Sequence, residues 1–192
     1  MNNYKNNAKL AGVMFLVAMT ASLTGGMIIE RGNNNNYIIF GVVLELINAL
    51  AVIGIVAALY EPLKKYYPSI TVGYMGIRLI EAVVCVAAAF IPVVSLSFNG
   101  DTMILTVMRN IITEYAVPTF FGIGAMLLYV MLYRSRLVPK YISVWGVVAS
   151  IGIMLVMFVS VREIKPVLGL PIILNEIYLG IYLLVKGVEV IK

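Results

Sequence analysis

Six apolar stretches of about twenty residues or more follow one another along this 192-residue chain and leave little room for anything else. A bilayer core is about 30 Å thick, and a helix rising about 1.5 Å per residue crosses it in about 20 residues. The stretches occupy residues 10–29, 37–60, 70–94, 111–133, 141–161 and 171–191. The expected fold is therefore all-α: one polytopic integral membrane domain, residues 1–192, with six transmembrane helices. Charged residues make up 12% of the chain, against about 25% in soluble domains, which leaves no composition for a separate soluble domain.

The punctuation between the stretches supports these boundaries. Glu30-Arg31 and the asparagine run Asn33 to Asn36 close the first, Glu61-Pro62 with Lys64-Lys65 the second, and Asn99-Gly100-Asp101 the third. The first run is too long for a signal peptide and no A-x-A site closes it, so it is expected to be retained. Residues 103–108 are apolar but too short to cross, and are expected to lie on the membrane ahead of Arg109-Asn110. Tyr37, Tyr60, Tyr133, Tyr141 and Trp145 fall near the expected helix ends, at headgroup level.

Orientation follows from the loop charges. Lys5, Lys9, Lys64, Lys65, Arg134, Arg136, Lys140, Lys186 and Lys192 lie on one side; Arg31, Arg109, Arg162 and Lys165 lie on the other. The positive-inside rule then places both termini in the cytoplasm. It also accounts for the net charge of +5 without a nucleic-acid partner. The expected location is the cell membrane, with the lipid bilayer as the first partner.

Polar side chains at membrane depth are costly, about 2.5 to 3.5 kcal/mol each for charged groups on insertion scales, so they tend to face the bundle interior and mark function. The second span carries Glu45 and Asn48, the third Arg78, Glu81 and Cys85, and the sixth Asn175 and Glu176. Spacings of three and four place the members on the second and third spans on one helical face each. Counted from the expected outer ends, Glu45 lies about 12 Å deep, Glu81 about 14 Å, Arg78 about 18 Å and Glu176 about 8 Å. Glu114 falls at the outer edge of the fourth span, where solvation is expected.

Three carboxylates thus face one guanidinium, and at least one carboxylate needs further help. It would be neutralised by a proton, which burial favours for a carboxylic acid, by a bound cation, or by a cavity wet from outside. Arg78 would alternatively receive a carboxylate or phosphate in a bidentate contact. A network that only fixes helix register is the competing reading.

Enzyme chemistry finds few parts. There is no His, the single Asp is Asp101 in a loop, and no G-x-S-x-G elbow occurs. Cys85 is the only cysteine and is expected to be an inert packing residue. No metal or cofactor is expected. Gly122-Ile123-Gly124 lacks a phosphate-binding context, and Pro118 is expected to kink the fourth span or free a carbonyl. Ala18, Ser22 and Gly26, like Gly146 and Ser150, recur at four-residue spacing, which is expected to serve packing inside a monomeric bundle rather than a dimer face. Glu81 and Glu176 each lie on the third helix of a half, but the fifth span has no equivalent of Glu45 and Asn48, so no inverted repeat is claimed.

Several blocks together resemble a known family. Leu44-Glu45-Leu46-Ile47-Asn48-Ala49-Leu50, Leu59-Tyr60-Glu61-Pro62-Leu63-Lys64-Lys65 and Gly76-Ile77-Arg78-Leu79-Ile80-Glu81-Ala82 are followed by Tyr133-Arg134-Ser135-Arg136-Leu137-Val138-Pro139-Lys140 and Ser143-Val144-Trp145-Gly146. Asn175-Glu176 leading to Leu184-Val185-Lys186-Gly187 completes the set. In order and spacing these are similar to the membrane family of domain of unknown function 4386. The resemblance implies a compact six-helix prokaryotic membrane protein and assigns no activity, substrate or cofactor.

The favoured reading is a small transporter or ligand-binding membrane protein with a polar cluster of Glu45, Asn48, Arg78, Glu81, Asn175 and Glu176. In it Arg78 and Glu81 form the central pair, Glu45 and Glu176 accept a proton or a small polar or cationic ligand, and Asn48 and Asn175 orient it. The alternatives are a structural or accessory membrane subunit and, third, a lipid-modifying enzyme using Glu and Arg alone.

Overall fold

The computed structural model describes residues 2–32, 34–98, 102–159 and 164–188. Asn33, Asn99-Gly100-Asp101, Val161, Arg162, Ile191 and Lys192, which enter the sequence reading, lie outside the described residues. All regular structure among the described residues is helical: α1 (Asn2–Arg31), α2 (Asn35–Lys64), α3 (Pro68–Leu96), α4 (Met103–Ile111), α5 (Val117–Ser135), α6 (Lys140–Leu155) and α7 (Ile164–Val185). Apolar sequences of this length become helices because a helix satisfies every interior backbone N–H and C=O within itself, as a medium without water demands. Six helical paths are long and apolar enough to cross a membrane, with Met103–Ser135 forming one of them.

That fourth path differs from the sequence expectation. α4 does not lie apart from the bundle as an interfacial piece; a π-helical turn, Ile112–Ala116, joins it to α5. Pro118 supplies a reason, because a proline ring collides with the carbonyl four residues back and cannot donate to it, and a widened turn just upstream relieves both. Side-chain hydroxyls occupy carbonyls on either side, Thr113 donating to Arg109 O at 3.0 Å and Thr119 to Tyr115 O at 2.7 Å.

Helix ends follow local chemistry. Asn34 caps α2, its side chain accepting from Asn36 N at 2.9 Å, and Pro68 opens α3 at a position where a missing N–H costs nothing. α7 begins at Ile164 with Pro171 inside it, earlier than the expected start at Pro171. It stops at Val185, short of the expected 191, because Gly187 adopts a left-handed φ of 75° and donates to Leu183 O at 2.9 Å.

The helices pack as a closed ring in chain order. α1 packs on α2, α2 on α3, α3 on α5, α5 on α6, α6 on α7, and α7 returns to α1. Glycines permit the closest approaches: a Cβ on Gly12 would meet Gly180 O at 2.5 Å, and one on Gly25 would meet Gly41 O at 3.0 Å. Gly146 is likewise covered by the ring of Tyr129, so its small size serves packing inside the bundle. Leu50, Val83, Val148 and Val185 stand exposed on the outer surface, an apolar exterior that suits lipid.

The two ends of the ring differ. The end carrying the termini, hereafter the termini end, is filled by Leu59, Leu63, Tyr74, Leu128, Tyr129 and Leu132, each 1% exposed or less. Towards the far end, where α1 meets α2 and α3 meets α4, the interior opens into cavities.

Candidate functional site

α3 brings Arg78 and Glu81 onto one face, three residues apart, and α7 sets Glu176 against them. Arg78 Nη1 donates to both Glu81 oxygens, at 3.1 Å to Oε1 and 2.9 Å to Oε2. Arg78 Nη2 lies 3.6 Å from Glu176 Oε1, an ion-pair distance longer than a hydrogen bond. All three side chains are 4% exposed or less. The guanidinium is framed by the rings of Tyr74 and Phe121, with centroids 5.6 and 5.3 Å away. Satisfaction is incomplete: Glu176 Oε1, Arg78 Nε and Nη2, and the buried hydroxyls of Tyr74 and Tyr129 have no hydrogen-bond partner among the described residues. Groups this deeply buried are usually bonded.

Glu176 belongs at this level because α7 starts at Ile164, which places the carboxylate about 18 Å along the helix at about 1.5 Å per residue. The depth of about 8 Å expected from a start at Pro171 is corrected accordingly.

Glu45 does not join Arg78. It is held by Arg109, whose Nη2 and Nη1 donate to Oε1 at 2.6 Å and Oε2 at 3.2 Å, while Nη1 also donates to Ala88 O at 3.0 Å. The expectation of three carboxylates around one guanidinium is thus replaced by two around Arg78 and one on Arg109. Arg109 is the residue that sequence reasoning assigned to the outer loop charges. The signal that would have found it is the absence of any polar break between Met103 and Ser135 strong enough to end a helix.

The remaining members separate. Asn48 is half-buried and lines two cavities between the inner and outer charge sets. Asn175 is fully buried; its Nδ2 donates to Ile142 O at 3.0 Å, tying α7 to α6, while its Oδ1 has no hydrogen-bond partner among the described residues. Adjacent residues on a helix point about 100° apart, so Asn175 turns towards α6 while Glu176 turns towards Arg78. Glu114 pairs with Lys165 at the rim, its side chain 41% exposed.

The cavities form a series. The innermost, about 170 Å³, is lined from all six helical paths, by Ala18, Asn48, Glu81, Phe121, Ile153 and Glu176 among others. The next, about 230 Å³, shares Ser22, Asn48, Cys85 and Val117 with it and includes Glu45 and Arg109. The third, about 630 Å³, shares Glu30, Arg109 and Asn110 with the second and lies among the far-end tips of α1, α3 and α4. The Arg109–Glu45 pair therefore stands where the middle cavity meets the outer one. The α1 stripe of Ser22 and Gly26 does not close a helix contact: both line the cavities, and a Cβ on Gly26 would meet nothing within 4 Å.

A ring of six apolar helices around a buried cluster of ionisable side chains is the build of a multi-pass membrane protein with an internal polar site. The chain belongs to the family described as Domain of unknown function (DUF4386), which matches residues 10–187, as the sequence blocks implied. No curated protein and no solved structure matches the chain.

Proposed function

We propose that the protein spans the cell membrane with both termini in the cytoplasm and binds or carries a small polar or cationic ligand, or a proton, admitted from the far end. The observation that carries the reading is Glu176: a carboxylate 3% exposed, with an oxygen that accepts no hydrogen bond, in the wall of a cavity to which every spanning helix contributes. Ionisable groups at membrane depth mark pathways and sites. The series of cavities supplies a route, and the Arg109–Glu45 pair stands across it as a latch.

Orientation rests on charge. Lys64, Lys65, Arg134, Arg136 and Lys140 gather at the termini end, whereas Arg109 is engaged inside the bundle and Lys165 is paired with Glu114. Reporter fusions at each terminus test it: both report cytoplasm on this reading.

The site is tested by the thermal stability of the detergent-purified protein against cations, amines, small carboxylates and lipids, with Glu81→Gln in parallel. Specific binding at 100 times Kd stabilises by about 2.7 kcal/mol. A ligand-specific shift lost in Glu81→Gln is the expected result. A flat panel, with the variant merely less stable, favours the accessory-subunit reading, for which the Asn175 link between α6 and α7 speaks. That reading predicts a co-purifying partner.

A further inference from the structure

The inner site sets two carboxyl groups against one guanidinium, and its geometry bears on which sign of ligand it takes. Arg78 is hemmed in on each edge, although its Nε and Nη2 make no hydrogen bond among the described residues. Its Nη1 is engaged by both Glu81 oxygens, and its Nη2 faces Glu176. Its Nε lies against α5 so closely that a Cβ on Gly124 would stand 3.0 Å from it. Tyr74 and Phe121 flank the guanidinium plane. With both carboxylates ionised, this one cation leaves a single negative charge uncancelled, and Glu176, whose Oε1 lacks a donor, is the less well bonded of the two.

The rest of the wall is mostly apolar, with Ile55, Phe121, Ile153 and Ile172 facing the same space. A metal ion finds no cage, since no three His, Cys, Asp or Glu side chains gather among the described residues. A cavity of about 170 Å³ compares with the cavity of about 150 Å³ that holds benzene in an engineered protein interior. We infer that the inner cavity is built for a small organic monocation: a protonated amine donating to Glu176, carried on an apolar body about the size of one six-membered ring. An ammonium there supplies the missing donor and cancels the buried charge, while its hydrocarbon part displaces water from apolar walls. The inference rests on the ligand-binding reading above and narrows it to one chemical class.

Three probes of matched shape test it: benzylammonium, neutral benzyl alcohol and anionic benzoate, titrated against the detergent-purified protein with melting temperature as readout. Benzylammonium is expected to raise the melting temperature and to bind about tenfold or more tighter than benzyl alcohol, the loss a buried acceptor suffers without its charged donor, while benzoate gives no shift. Glu176→Gln is expected to bring the amine down to the affinity of the alcohol. Equal binding of amine and alcohol, as a Glu176 that simply keeps a proton would give, overturns the inference and leaves the ligand-binding reading standing. Tightest binding by benzoate does the same. No shift with these probes or with the wider panel removes both. Should Glu176→Gln fail to fold, Ser22→Phe carries the test, because Ser22 lines the same cavity from an exposed position on α1. It is expected to abolish amine binding in a folded protein, and undiminished binding overturns the inference.

Discussion

Arg109 and Glu45 lie 64 positions apart in the chain and meet through two N–H···O contacts at the junction of the middle and outer cavities. Their side chains are 12% and 14% exposed, so the pair is neither a free surface contact nor a fully buried one. It joins α2 to α4 across the route that leads to Arg78.

Removing one partner should therefore cost more than a surface pair does. Arg109→Ala leaves Glu45 half-buried without its fork of donors and is expected to lower stability by about 1–3 kcal/mol. Glu114→Ala, which breaks the more exposed pair with Lys165, is expected to stay within about 1 kcal/mol. Denaturation of the two variants side by side checks the order; equal losses would contradict it.

On the proposed reading the same pair also limits access to the inner cavity. Cys85 is the chain's single cysteine and lines both the inner and the middle cavity, so its modification by a small water-soluble thiol reagent reports passage from the far end. Arg109→Ala is expected to speed modification by about tenfold, the ratio that about 1.4 kcal/mol of latch stabilisation gives. Labelling rates measured on folded protein decide, and an unchanged rate would remove the latch.

Arg78 faces two buried carboxylates at once. Arg78→Met strands both, and a loss of about 3–5 kcal/mol is expected, as when one member of a buried pair is removed. Adding Glu81→Gln and Glu176→Gln to Arg78→Met should recover part of that loss, because the uncompensated charges go with it. A triple variant no more stable than Arg78→Met alone would count against charge as the cause.

Three glycines rank by what a methyl group would meet. A Cβ on Gly146 lands 2.3 Å from the Tyr129 ring, one on Gly124 lies 3.0 Å from Arg78 Nε, and one on Gly26 meets nothing within 4 Å. Alanine at Gly146 is expected to destabilise most, since overpacking costs about 1–3 kcal/mol or more. Alanine at Gly124 should cost less, with Arg78 shifting, and Gly26→Ala should be neutral or stabilising by up to about 1 kcal/mol. Melting temperatures of the three variants check the ranking.

Much of this molecule could be read along the chain. Apolar length alone implied six helices, because a run of about 20 apolar residues has one good way to satisfy its backbone. Burial of Arg78 and Glu81 was expected from their depth, and the meeting of Arg78 with Glu81 and Glu176 from the cost of leaving such groups alone, although the same reasoning set Glu176 too shallow and grouped Glu45 with Arg78.

What the chain could not disclose is which partner each charge takes. Arg109 follows an apolar run too short to cross on its own, so one-dimensional hydropathy assigns it to the outer loops. Only the π turn that fuses α4 to α5 carries it into the bundle and onto Glu45. Asn175 and Glu176 are neighbours in sequence, yet the helix turns one towards Ile142 on α6 and the other towards Arg78. The sequence by itself determined how many helices form and which ones carry buried charge, since both depend on hydropathy within one segment. The tertiary structure decided the pairings, the cavities and the carboxyl oxygen of Glu176 left without a donor, since these depend on the register and rotation of helices that hydropathy does not specify.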